Sequence, residues 1–128
     1  MSVTTMHTAA VSNYQEIARR YAGAWNAHDI DAIMALHTDD TLYHLHGEAD
    51  VYRGRGAVAE KFSTQLAQVP DICFELKSLY GGGDHFVFEA VITYSGKNGE
   101  KAIFDGVDVI TIRDGLVVSK NSYMVKAP

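Results

Sequence analysis

Asp108 sits where a carboxylate needs a reason. It lies in "FDGVDVITIRDG", Phe104 to Gly115, a strand-like run that ends in a turn. Side chains alternate along a strand, so Phe104, Gly106, Asp108, Ile110 and Ile112 share one face. A carboxylate in the middle of an apolar strand either pairs with a base or handles protons. The candidate base is Lys120 in "VVSKNSYMV". Hairpin register sets Lys120 on the face of Val118, Ser122 and Met124, and a slip of one residue sends it to the other. Lys120 on the pocket face would keep Asp108 ionised. His44 and His46 in "YHLHG" are the other proton carriers, since imidazole titrates near neutral pH. Alternation puts both opposite Leu45, so a bulge or bend must turn one inward.

Other chemistries find less support. His44-x-His46 could start a metal site, but no third and fourth ligands accompany it. No metal and no cofactor are expected. "GGGD" has no Lys-Ser/Thr after it and reads as a turn, not a phosphate cradle. Asp39 and Asp40 read as solvated helix-end residues. Ser119 and Ser122 lie in a strand without a nucleophile elbow.

The elements that must position these residues fall into two halves. Ser12 with Gln15 makes a capping-box start, and Tyr14, Ile17, Ala18, Tyr21, Ala24 and Trp25 follow at helical spacing. Asp29 caps a second helix through "IDAIMALH", ending at His37. A third runs from about Ala57 to Val69, after "RGRG" and before Pro70. "TLYHLHG" reads as a short strand. "ICFELKSLY", "HFVFEAVITYS", "AIFDGVDVITI" and "LVVSKNSYMV" are β-branched and aromatic runs split by "GGGD", "GKNGE" and "RDG". Three helices and an antiparallel meander make an α+β domain, one unit over residues 1–128 with a flexible stretch at 1–11.

Composition narrows the partners. Net charge is −5, with no basic stripe to meet phosphates, so nucleic acid and membrane surfaces are disfavoured. No leader or spanning segment is legible, and a cytoplasmic location is expected. The single cysteine, Cys73, lies in an apolar stretch and is expected to be a buried thiol. Alternation offers Phe86, Phe88, Ala90 and Ile92, with Phe104 and Ile110, as an apolar lining joined by Trp25, Tyr43 and Met124. That lining suits a flat hydrophobic ligand bearing oxygen. The opposite face carries Val87, Val91, Val107, Val109 and Tyr123. An apolar face with no helix left to cover it points to a homodimer.

The ordered set "YAGAWNAHDIDAIMALHTDDT", "YRGRGAVAEKF" and "GVDVITIRDGLV" resembles the nuclear transport factor 2-like superfamily, over about residues 12 to 126. Within it the chain is most similar to ketosteroid isomerases and SnoaL-like polyketide cyclases. The resemblance implies a cone: three helices against a strongly curved, mainly antiparallel sheet enclosing a hydrophobic pocket. It implies that Tyr21 and Asp108 are the oxyanion-hole pair, Asp108 as a neutral acid whose charged form burial disfavours. It puts Leu45 where these isomerases carry their general-base aspartate. His37 and Phe62 stand where further tyrosines support the first. The expected activity is enolate or oxyanion stabilisation on a hydrophobic carbonyl compound, in isomerisation, cyclisation or dehydration, with His44, His46, His37 or water moving the proton. Leu45, Phe62 and Lys120 join the expected substrate contacts. The alternatives are a non-catalytic hydrophobic-ligand binder and a protein-interaction module of the same fold.

Overall fold

The computed structural model describes residues 13–128, so the capping box at Ser12 and the N-terminal stretch lie outside the described residues. Helix α1, Asn13–Asn26, presents Ile17, Ala18, Tyr21, Ala24 and Trp25 to the core, the stripe its spacing predicts. Asp29 then caps α2, Ile30–Ala35, accepting a hydrogen bond from the Ala32 amide. The helix stops two residues before His37, which opens strand β1, His37–Leu45. The helix-end placing of His37 is therefore corrected. A short strand β2, Val51–Arg53, pairs with β1. Gly54, in the left-handed region at φ 87°, turns the chain into α3, Arg55–Gln68.

The second half is the expected meander: β3 Cys73–Gly81, β4 His85–Ser95, β5 Lys101–Arg113 and β6 Leu116–Lys126, each antiparallel to the next. The sheet has six strands in the order β2-β1-β6-β5-β4-β3, and β1 runs parallel to β6. That one parallel pairing makes the sheet mixed. Its inner face meets the three helices around Tyr21, Ile33, Val58, Phe62, Phe86, Ile110 and Val117, all fully buried. The outer face leaves Ile103, Val109, Tyr123 and Val125 exposed.

The β5–β6 hairpin decides the chemistry. Asp114 and Gly115, both at positive φ, form its two-residue turn. Ile112 faces Val117, but Thr111 faces Ser119, so Val118 is an extra residue on β6. The bulge shifts parity: Val117, not Val118, shares the inner face with Lys120, Ser122 and Met124. Without it Lys120 would stand on the outer face. Cys73 also departs from expectation, being exposed as the first residue of β3.

Candidate functional site

Lys120 Nζ lies 2.9 Å from Asp108 Oδ2, and the Ser122 hydroxyl donates to Asp108 Oδ1. Asp108 and Lys120 are only 8 % and 5 % exposed. Both carboxylate oxygens thus accept hydrogen bonds, one from an ammonium group. This geometry does not fit the hydrogen-bond donor that the resemblance implies for Asp108, because both of its carboxyl oxygens are already taken as acceptors within the protein. The ammonium also sits over aromatic rings, 4.8 Å from the centroid of Tyr21 and 5.0 Å from that of Trp25.

Behind this pair runs a second polar chain. The Tyr21 hydroxyl is 2.9 Å from His37 Nε2, and His37 Nδ1 is 2.7 Å from Thr41 Oγ1. Arg55 donates to the His37 carbonyl. Burial, then the Lys120 charge, then that of Arg55 push His37 down to about 3, so its ring is neutral at ordinary pH. Burial, reinforced by Asp108, holds the Tyr21 hydroxyl well above the usual tyrosine range. Tyr21 keeps its proton, and His37 is a buried neutral partner, not a base.

The ion pair opens on a cavity of about 160 Å³. Its walls include Trp25 from α1, Gln65, Leu66 and Val69 around the end of α3, Phe74 from β3, and Phe88, Ala90 and Ile92 from β4. Tyr43 and Leu45 from β1 and Met124 from β6 close it. The Tyr43 hydroxyl accepts a hydrogen bond from Gln65. Cavities of roughly this size take up benzene-sized apolar molecules, so a ligand of one or two rings is in scale.

Several expected contacts lie elsewhere. Phe62, Phe86 and Ile110 are wholly buried in the core and do not line the cavity, and Phe104 stacks on Tyr94, which does. No bulge turns His44 or His46 inward. His44 bonds the Glu48 carbonyl, while His46 bonds Asn121 and stacks on Tyr123, away from Asp108. Neither is a proton carrier for this cavity. Leu45 does line it, with no proton to give.

Sequence reasoning missed Ser122, Gln65, Phe74 and Gly106. Ser122 was legible by its parity with Lys120, and Phe74 by its alternation with Ile72 and Leu76. Gly106 needed the fold: a Cβ there would meet Ile92 Cδ1 at 2.6 Å. Ile92 has a movable end, so Gly106→Ala should fold and push it into the cavity. We expect hydrophobic ligands to bind about tenfold more weakly, within the 1–3 kcal/mol of a typical overpacking. Ligand titration beside a thermal melt checks this.

A family model described as a SnoaL-like domain matches residues 18–120. The chain belongs to the SnoaL-like domain family. No curated protein matches it by sequence. Among solved structures the SnoaL-like chain is similar to a protein assigned as a SnoaL-like polyketide cyclase from Jannaschia sp. CCS1, at TM-score 0.79 and 17% identity, over 89% of this chain and 86% of that one. It is similar to SalBIII, an epoxide hydrolase/cyclase-like enzyme in pyran ring formation in the polyether salinomycin, at TM-score 0.78 and 24% identity, over 87% and 89%. A Catenulispora acidiphila DSM 44928 protein with a ketosteroid isomerase-like fold, in complex with trimethylamine, matches at TM-score 0.77 and 22% identity, over 84% of each chain. These likenesses establish the SnoaL-like cone. Among the described residues no cluster of three or more metal-ligating side chains occurs, and no helix is long and apolar enough to cross a membrane.

Proposed function

We propose that the protein is a cofactor-free proton-transfer enzyme acting on a hydrophobic carbonyl compound, with Asp108 as base and Lys120 as the cation that steadies the developing oxyanion. The observation that carries this reading is the buried Asp108–Lys120 pair in the wall of a largely apolar cavity. The carboxylate takes a proton from the carbon next to the carbonyl, and the electron pair moves onto the carbonyl oxygen beside the ammonium. Return of that proton to another carbon isomerises the substrate. Attack of the enolate carbon on a second carbonyl forms the ring bond and an alkoxide, which takes back the proton held by Asp108. Neither course needs an oxidant or a reductant. Tyr21, which keeps its proton, can add a hydroxyl donor when His37 carries its proton on Nε2. Asp108 thereby takes over the task for which Leu45 is unfit. SnoaL-like neighbours described as cyclases support this class of chemistry.

Titration with 2-naphthol, an enolate-like phenol, tests the site. Wild type should bind saturably, and Lys120→Met should weaken binding by about tenfold or more, as expected for loss of a hydrogen bond to a charged group. Binding indifferent to Lys120→Met and to Asp108→Asn would leave the pair as structure only, and the cavity as that of a binding protein.

A further inference from the structure

The single tryptophan of the chain, Trp25, is 5 % exposed, and among the described residues its indole nitrogen has no hydrogen-bond partner. A buried N–H left unpaired costs free energy, and native proteins rarely tolerate one without a use. Beside it lies a chamber of about 10 Å³ bounded by Tyr21, Ala22, Trp25, Phe74, Phe88, Asp108 and Lys120. Trp25, Phe74, Phe88, Asp108 and Lys120 also wall the main cavity, so the two spaces adjoin at the ion pair. A volume near 10 Å³ holds about one water-sized atom. Among the described residues no group, Tyr21 included, takes the indole N–H as a hydrogen-bond donor, and Trp25 and Tyr21 both bound the chamber.

We propose that this chamber is the oxygen subsite of the reaction and that Trp25 is its specificity-determining donor. The inference rests on the proton-transfer reading above. A single carbonyl or phenolate oxygen enters the chamber, accepts from the indole N–H and lies beside the Lys120 ammonium. The hydrophobic body and the carbon to be deprotonated stay in the larger cavity, on the Asp108 side. Space for one oxygen selects the substrate class: a ketone, aldehyde or phenol fits, while a carboxylate or phosphate carries atoms the chamber has no room for. Phenylalanine at position 25 would still offer Lys120 a π face, though a weaker one, and would fill much of the same space without the donor. The donor is what tryptophan adds.

One tryptophan means one indole N–H resonance, and that signal reports on the subsite directly. In wild type, 2-naphthol should move the ¹⁵N–¹H indole peak downfield, as a new acceptor requires, while naphthalene and 2-naphthoate should not. Trp25→Phe should weaken 2-naphthol binding by about tenfold, the usual size of one lost hydrogen bond to a charged acceptor, with naphthalene affinity unchanged. An indole peak that moves equally for naphthol and naphthalene, or a Trp25→Phe protein that keeps the preference for naphthol, overturns the subsite. If that happens while Lys120→Met still abolishes the preference, the proton-transfer reading stands and only the role of Trp25 falls. If neither substitution touches the preference, both fall together. 2-Naphthoate binding as tightly as 2-naphthol and shifting the indole peak would overturn the single-oxygen limit.

Discussion

Lys120→Met is expected to cost the folded protein about 3–5 kcal/mol, the range for stripping one partner from a buried ion pair. The loss follows from what stays behind. Asp108 keeps only the Ser122 hydroxyl, in a place 8 % exposed. Asp108→Asn should cost less, because the stranded ammonium still faces the rings of Tyr21 and Trp25, and cation–π contact out of water offers roughly 2 kcal/mol. The double variant Asp108→Asn/Lys120→Met leaves no buried charge and should regain most of the stability. Under the proposed mechanism it should regain none of the activity, since Asp108 is its base and Lys120 its oxyanion partner. Urea denaturation of wild type, both single variants and the double gives the coupling energy directly. A coupling near zero would mean the two charges do not depend on one another, and the site would lose its physical basis. Equal losses from the two single substitutions would instead remove the aromatic rings from the account.

How far the sequence reached shows in this same pair. The meander was legible because strand runs and turns are local: "RDG" predicts the Asp114–Gly115 turn, and alternation puts Asp108 on one face with Phe104 and Ile110, the face the fold buries. The side chosen by Lys120 was not legible to the same degree. It depends on whether β6 holds an extra residue, and Val118 is that residue. Nothing in "LVVSKNS" distinguishes a bulged from an unbulged strand, since both bury one valine and show the other. The consequence is the difference between a neutral oxyanion-hole acid and a paired carboxylate. His37 failed for a related reason. "HTDDT" looks like a polar helix end, yet β1 starts there because the backbone lies alongside β6, where His37 pairs with Val117, a contact 80 residues away in the chain. Parallel pairing leaves no local turn to read. The resemblance supplied the cone and pointed to Tyr21, which bounds the small chamber with Asp108 and Lys120, but it could not say which partners this chain gives Asp108.

His37 carries the second large effect, and it is a dependence on pH. The ring is 2 % exposed, and Tyr21, Thr41, Lys120 and Arg55 are the polar and charged groups set against it. Its folded pKa is pushed down to about 3, against 6.5 for a free imidazole. Between those values the unfolded chain takes up a proton that the folded protein refuses, so stability falls as the pH drops below 6.5 and the loss is complete only near pH 3. Each pH unit inside the window costs about 1.4 kcal/mol, so lowering the pH from 6.5 to 4.5 should remove roughly 2–3 kcal/mol. Asp40, Asp71 and Asp84, whose exposed carboxyls are held below their usual 3.8, begin to matter only under that value. The interval from 4.5 to 6.5 therefore isolates histidine. His37→Gln keeps a hydrogen-bonding side chain for Tyr21 and cannot titrate, so its denaturation midpoint should vary far less with pH across the interval. Parallel curves for variant and wild type would mean that His37 takes up its proton as readily in the folded protein as in the unfolded chain, and burial would not be setting its charge. Protonating the ring would make both of its nitrogens donors, toward Tyr21 and Thr41, and add a third positive charge beside Lys120 and Arg55, which is why the folded protein refuses the proton. Ligand binding in the cavity should hold across the same interval for as long as the protein stays folded, because the folded ring takes up its proton only near pH 3.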